Sequence, residues 1–133
     1  MPSTSANTES AARIIAIGAV LAAIGVGMGA FGAHALQARV TPARLEVWHT
    51  AVLYHLVHAL GLLAIGIWLR LAGGRAWPAW VLVAGIGLFS GSLYALVLLD
   101  LGLLGAVTPL GGICFIVGWL GFAHQAWSRG RAE

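Results

Sequence analysis

The chain has 133 residues, of which 60% are hydrophobic and only 8% are charged, and its mean hydropathy is +0.94. Soluble domains carry about 25% charged residues, so this composition excludes an ordinary soluble domain and indicates an integral membrane protein. The net charge of +3 comes from seven arginines spread over predicted helix ends. A nucleic-acid partner would require basic residues clustered on one face, so none is expected, and the expected partner is the lipid bilayer.

The N-terminal part divides into a polar segment and an apolar one. Residues 1–12 are rich in Ser, Thr, Asn and Glu and are predicted to be a disordered tail. Residues 14–33 form an apolar stretch long enough to span a bilayer. A cleaved signal peptide is the alternative, because Ala33-His34-Ala35 fits a cleavage site. Small residues recurring at intervals of three and four favour a retained helix with one packing face.

The second predicted helix, residues 42–69, is the most informative segment of the chain. Thr41 followed by Pro42 predicts a helix start, with Thr41 as the N-cap and proline at the first position. At ~1.5 Å per residue the helix would be about 42 Å long, which exceeds the ~30 Å hydrocarbon thickness. Its first two turns are therefore expected at the headgroup level. It carries three of the five histidines, His49, His55 and His58.

Two further spans are predicted at residues 77–99 and 108–127, with Thr108 as the N-cap of the last and residues 129–133 as a C-terminal tail. Small residues recur every three or four positions on each span, which predicts close helix packing. The chain is therefore predicted to be an all-α, single-domain, integral membrane four-helix bundle over residues 13–128, with left-handed small-residue packing seams. The predicted helix-packing glycines are Gly18, Gly25, Gly29, Gly87, Gly91, Gly111 and Gly118.

The arginines predict the orientation of this bundle. Five lie on the side that holds both termini and the second loop, and two lie in the first loop. The excess of positive charge on cytoplasmic loops predicts that the N and C termini are both cytoplasmic.

Polar residues inside the predicted spans gather at one end of the bundle. Ionisable groups within a membrane are costly and usually face the interior. Helical phase at 100° per residue places His49 opposite His58 and removes it from the group. The remaining candidate polar cluster comprises His34, Tyr54, His55, His58, Ser90 and Tyr94. We expect His58, buried and uncharged, to bond across the interface of the second and third helices to Tyr94 or Ser90, with His34 as its next candidate partner.

The composition of this cluster bears on several chemistries. A metal site, a haem held by two histidines and a serine nucleophile each lack part of the required residue set, so no metal, no cofactor and no enzymatic activity are expected. Two interpretations remain. The cluster either fixes helix register in an accessory or assembly factor, or it handles protons or a small solute, in which case a homo-oligomer or a larger membrane complex would be needed to enclose a path.

Four ordered motifs, GAFGAHAL (29–36), WHTAVLYHLVH (48–58), FSGSLYAL (89–96) and TPLGGICFIVGWL (108–120), closely resemble the domain of unknown function 423 family. Its members are small bacterial inner-membrane proteins with a similar eukaryotic transmembrane relative. The resemblance implies a four-helix integral membrane protein with a retained first helix. It implies no activity, substrate or catalytic residue.

Overall fold

A computed structural model describes residues 2–131 of the chain, with side chains from residue 5 onward. The helices are α1 (Pro2–Phe31), α2 (Pro42–Ala72), α3 (Trp77–Ile86), α4 (Ser92–Leu99) and α5 (Thr108–Gly130). No strand occurs in the described part of the chain. With the turns that join or extend them, these helices form four segments long and apolar enough to cross a membrane. The predicted all-α, four-span fold is confirmed.

The first span begins much earlier than the sequence predicts. Residues 2–12, expected to be a disordered tail, are instead the first turns of α1, with Met1 outside the described residues. Ala11 and Ile14 are fully buried, and the Ala11 carbonyl lies against Gly66 of α2. Packing against α2 therefore extends the helix towards its N-terminus, and an ion pair between Arg13 and Glu9, one turn apart, supports it.

The second span starts where the sequence predicts and ends three residues later. The Thr41 hydroxyl accepts a hydrogen bond from the Arg44 backbone N–H at 3.3 Å, which is the expected cap. The helix ends at Ala72, followed by Gly73 and Gly74 with φ of 72° and 130°. Residues with side chains rarely adopt these angles, so the turn depends on glycine.

The third span has the predicted outer bounds but is not a continuous α-helix. A π-helical turn over Gly87–Gly91 separates α3 from α4. A π turn contains one extra residue, so it changes the direction in which the side chains of α4 point relative to those of α3. Consequently α3 packs mainly on α5, whereas α4 packs on α2. A second π turn, Gly32–Leu36, prolongs α1.

The fourth span starts at the predicted residue without the predicted cap. Val107 is the N-cap, and it makes no side-chain capping bond. Thr108 is the first helical residue, and its hydroxyl lies 2.8 Å from the Ser92 hydroxyl of α4. A short 3₁₀ helix, Gly102–Ala106, precedes it. At the other end the helix continues to Gly130, into the predicted C-terminal tail, whose last two residues lie outside the described ones.

The core has two hydrophobic clusters, one towards each end of the bundle. The cluster at the end with both described termini contains Ala11, Ile14, Leu62, Ile65, Leu69, Ala79, Leu82, Ile86 and Phe115. The cluster at the opposite end contains Leu36, Trp48, Ala51, Leu93, Tyr94 and Val97.

Four of the seven predicted packing glycines lie at close helix approaches. A Cβ added at Gly18 would be 3.0 Å from the Ala59 carbonyl oxygen, and one at Gly25 would be 2.6 Å from Leu56 Cδ2. At Gly118 it would be 2.6 Å from Leu82 Cδ2, and at Gly111 it would overlap the backbone of Phe89. The approach to backbone atoms makes glycine most necessary at Gly18 and Gly111, whereas at Gly25 and Gly118 a leucine side chain would have to shift.

The other three predicted glycines lie outside tight contacts. A Cβ added at Gly29 would be 3.4 Å from Val52 Cγ1, which is ordinary contact. One at Gly87 would meet nothing within 4 Å, and one at Gly91 would be 4.0 Å from the Ile86 carbonyl oxygen. The packing role predicted for Gly87 and Gly91 is therefore corrected. The π turn moves them off the interface, and the close approach lies instead at Gly85, where an added Cβ would be 2.6 Å from Phe115 Cδ1.

Candidate functional site

The centre of the candidate site is a hydrogen bond between α2 and α4. His55 Nδ1 lies 3.0 Å from the Tyr94 hydroxyl. Both side chains are buried, with 3% of His55 and 8% of Tyr94 exposed. The Nε2 atom of His55 is also buried and faces the Leu21 backbone of α1, without a hydrogen bond of normal geometry. Which of the two groups donates in the bond between His55 and Tyr94 depends on the tautomer of the imidazole, because a neutral ring carries one donor and one acceptor.

Ser90 forms the second link between the same spans. Its hydroxyl donates to the Ala51 carbonyl of α2 at 2.7 Å, and the residue is fully buried. The π turn positions it, because Ser90 lies within Gly87–Gly91. A buried hydroxyl in a bilayer must find a partner within the protein, and a backbone carbonyl supplies one.

His58 does not make the predicted bond. Its Nδ1 lies 2.6 Å from the Tyr54 carbonyl oxygen in its own helix. Its ring stacks on Phe115 of α5, with centroids 3.5 Å apart and planes at 11°. The predicted pairing with Tyr94 or Ser90 is therefore wrong. His55, about 60° away around α2 at ~100° per residue, faces α4 instead, and the π turn sets the phase of Tyr94.

Tyr54 lies at the outer edge of the cluster. Its ring is 4.5 Å from that of Phe89 and 6.0 Å from that of His58, centroid to centroid, and 40% of the residue is exposed. With Leu53, Val57 and His58 it lines a shallow groove of about 170 Å³. This groove opens on the face of α2 that carries exposed apolar side chains, which is the face expected to meet lipid.

His34 lies outside the cluster. It belongs to the π turn at Gly32–Leu36 and is exposed. No hydrogen bond or ring contact joins it to the other five residues in the described structure. The structure therefore brings together Tyr54, His55, His58, Ser90 and Tyr94, and it corrects the assignment of His34.

Trp48 is the most important neighbour that the helical pattern did not single out. It is fully buried, its ring centroid is 4.7 Å from that of Tyr94, and its indole N–H donates to the Met28 carbonyl at 2.8 Å. A signal was present, because Trp48 precedes His55 by seven residues and so lies on the same helix face.

A second feature that the sequence did not predict joins the ends of α2 and α4. The Arg44 guanidinium donates to the Leu96 carbonyl at 2.8 Å and pairs with the Asp100 carboxylate. In the sequence, Arg44 contributes only to the charge count for orientation. Arg44 and Asp100 are 56 positions apart in the chain, so no local sequence pattern indicates this contact.

The arrangement offers little for metal chemistry. Within residues 2–131 no three His, Cys, Asp or Glu side chains lie close enough to hold a metal ion. His55 and His58 both use their Nδ1 atoms within the protein. The cluster instead joins α2 to the third span and stacks α2 on α5.

The fold and site together define a small multi-pass membrane protein with a compact, internally bonded polar cluster. The family model for proteins of unknown function termed DUF423 matches residues 28–112, and the chain belongs to this family. It is 47% identical over 109 residues to the UPF0382 membrane protein YwdK of Bacillus subtilis, covering 80% of this chain and 89% of that one. It is 48% identical over 110 residues to a UPF0382 membrane protein of Staphylococcus saprophyticus, with the same coverage. No solved structure matches it significantly.

Proposed function

We propose that the protein is a non-enzymatic accessory or assembly factor of the bacterial inner membrane, whose polar cluster serves structure. One observation carries this proposal: His55 Nδ1 and the hydroxyls of Tyr94 and Ser90 bond directly to one another or to backbone, and His55 Nε2 is the one described buried side-chain polar atom without a partner. His55 pairs with Tyr94, and Ser90 with Ala51, at 3.0 and 2.7 Å, and all four residues are buried. Groups that must exchange protons or solutes need access, which these bonds do not provide.

The alternative is a protein that handles protons or a small solute through the same cluster. It draws support only from Tyr54 and His58, which reach a groove open to the lipid-facing side of α2. A path there would need a second subunit to close it. A homo-oligomer or a larger membrane complex would supply that subunit.

Measurements of proton flux and of stability on the same variants distinguish the structural role of the cluster from a role in handling protons or solutes. In proteoliposomes with an imposed pH gradient, proton flux through the wild-type protein is expected to equal that of protein-free liposomes. His55→Leu and Tyr94→Phe are each expected to lower the free energy of unfolding by about 1 kcal/mol, and together by less than the sum, because one interhelical bond is lost in either case. Wild-type flux that disappears in His55→Leu, or additive stability losses, would overturn the structural role.

We further propose that both termini face the cytoplasm, on the strength of the five arginines at that end. In a Cys114→Ala background, a cysteine at Gly102, where an added Cβ meets nothing within 4 Å, is expected to react with an impermeant maleimide in intact cells. A cysteine at the exposed Ser128 is expected to react only after lysis. The opposite labelling pattern would reverse the orientation.

A further inference from the structure

A cleft whose lining includes charged and polar side chains lies at the arginine-rich end of the bundle, far from the polar cluster. It has a volume of about 440 Å³, and its lining includes Asn7, Arg75, Trp77, His124, Gln125 and Arg129. These residues come from α1, from the turn after α2, and from α3 and α5. The volume lies within the range of small-molecule sites in proteins.

The cleft is positively charged, and no carboxylate among the described residues lines it. The described carboxylates are those of Glu9, Glu46 and Asp100, and none of them lines the cleft. Glu9 pairs with Arg13, and Asp100 pairs with Arg44 at the other end. Two arginines thus line a concave surface without a described acidic neighbour, which favours binding of an anion.

The protein holds the backbone of this cleft in place and leaves one arginine side chain unused. Gln125 accepts from the Arg75 N–H at 2.8 Å and donates to the Arg75 carbonyl at 3.1 Å. Arg129 donates to the Ala72 carbonyl and lies over the Trp68 ring, 5.8 Å from its centroid. The Arg75 guanidinium has no hydrogen bond or ion pair within the described residues. It is exposed at the rim and available to a ligand.

The expected position of the cleft in the bilayer indicates which class of anion it binds. Trp77, 42% exposed, is part of its lining, and tryptophans concentrate where headgroups meet hydrocarbon. We therefore expect the cleft to lie at the level of the phosphates of the bilayer surface. Basic pockets between membrane helices are suited to the headgroups of anionic phospholipids.

We propose that this cleft binds a phosphate group, supplied by the headgroup of an anionic phospholipid, with Arg75 and Arg129 as its cationic contacts and Gln125 as a positioning residue for Arg75. The proposal does not depend on which way the protein is oriented, nor on the role of the polar cluster.

The test compares two single arginine losses at the same end of the protein. Arg75→Gln removes a charge from the cleft, whereas Arg70→Gln removes one from an exposed position that does not line it. Because neither side chain has a described partner, both variants are expected to fold. Binding is followed by native mass spectrometry and by the thermal midpoint in detergent, as dioleoyl phosphatidylglycerol is added. We expect Arg75→Gln to weaken binding about fivefold and Arg70→Gln to change it by less than about twofold.

Two further probes identify the source of the phosphate. Dioleoyl phosphatidylcholine, with no net charge, is expected to bind several-fold more weakly than phosphatidylglycerol. Free glycerol 3-phosphate at millimolar concentration is expected to leave the thermal midpoint unchanged. A midpoint shift by glycerol 3-phosphate that Arg75→Gln abolishes, without a phosphatidylglycerol effect, would overturn the lipid source and keep the phosphate site. Equal losses in the two arginine variants, or equal binding of both lipids, would overturn the site itself.

Discussion

Gly111→Ala is expected to lower the free energy of unfolding by about 3 kcal/mol, at the upper end of overpacking effects. The added Cβ would lie 2.7 Å from Phe89 Cα and closer still to its backbone nitrogen. Backbone atoms cannot rotate out of the way as a side chain can. The helix α5 would therefore have to move away from the π turn, and contacts on both sides of Gly111 would be lost with it.

The neighbouring residue provides a matched control. A Cβ at Gly112 meets nothing within 4 Å, and Gly112→Ala makes the same chemical change one residue further along the same helix. It is expected to be neutral or slightly stabilising, because alanine is the better helix former. Unfolding in mixed micelles by titration with sodium dodecyl sulfate measures both. Similar losses in the two variants would show that the close approach at Gly111 is not what limits stability.

Trp48→Ala is expected to cost about 3 kcal/mol of unfolding free energy, at the lower end for removal of a buried tryptophan. The ring is fully buried, packs on Tyr94, and donates to the Met28 carbonyl. Gly32 allows α1 to approach it, since a Cβ there would be 2.6 Å from Trp48 Cδ1. In a membrane the unfolded chain stays in lipid, so the loss comes from the cavity and the broken hydrogen bond rather than from transfer to water.

Trp80→Ala, at a position 47% exposed, removes the same volume from the surface and is expected to cost less than about 1 kcal/mol. Trp48→Phe keeps most of the packing and removes the indole N–H, so its loss of unfolding free energy should lie between those of Trp48→Ala and Trp80→Ala. The same unfolding titration measures all three. If Trp80→Ala proves as destabilising as Trp48→Ala, the hydrophobic cluster that contains Trp48 is not what holds α1, α2 and α4 together.

Features that depend on local composition could be predicted from the sequence. The four spans follow from long apolar stretches, because lipid admits only helices with internally satisfied backbones. Thr41 and Pro42 mark a helix start by their own chemistry, and the cap between Thr41 and Arg44 is formed as expected. Gly18 and Gly118 could be found because each lies in a stretch of regular α-helix, where a period of about 3.6 residues holds.

Features that depend on tertiary contacts could not be predicted. The π turn at Gly87–Gly91 inserts one residue into the helical phase, so a count along an ideal α-helix misplaces Gly87 and Gly91. Thr108 precedes a proline, as an N-cap residue often does, yet its hydroxyl forms a hydrogen bond with the Ser92 hydroxyl instead of capping the helix. The polar start of α1 is helical because Ala11 and Ile14 pack against the rest of the bundle, which composition alone does not reveal.

Most residues of the candidate site could be predicted from the sequence, but the hydrogen bonds between them could not. Five of its six residues lie close together because inward-facing polar groups in a membrane must share an interior. The pairing was missed since His55 and His58 differ by only about 60° around α2, and which of them meets Tyr94 depends on the phase of α4. His34 lies within a π turn at the end of the first span, where burial no longer follows from periodicity.

The π turn in the third span also limits how the chain can change in length. The π turn contains one residue more than a regular α-helical turn would, so loss of one residue between positions 87 and 91 would restore a regular α-helix and leave the phase of α4 almost unchanged. Loss of one residue within α3 or α4 would instead rotate the rest of the span by about 100°. Tyr94 could then no longer face α2 while Leu82 still faced α5. Natural variation in the length of the third span should therefore be confined to the π turn, with α3 and α4 fixed in residue count even where their side chains differ.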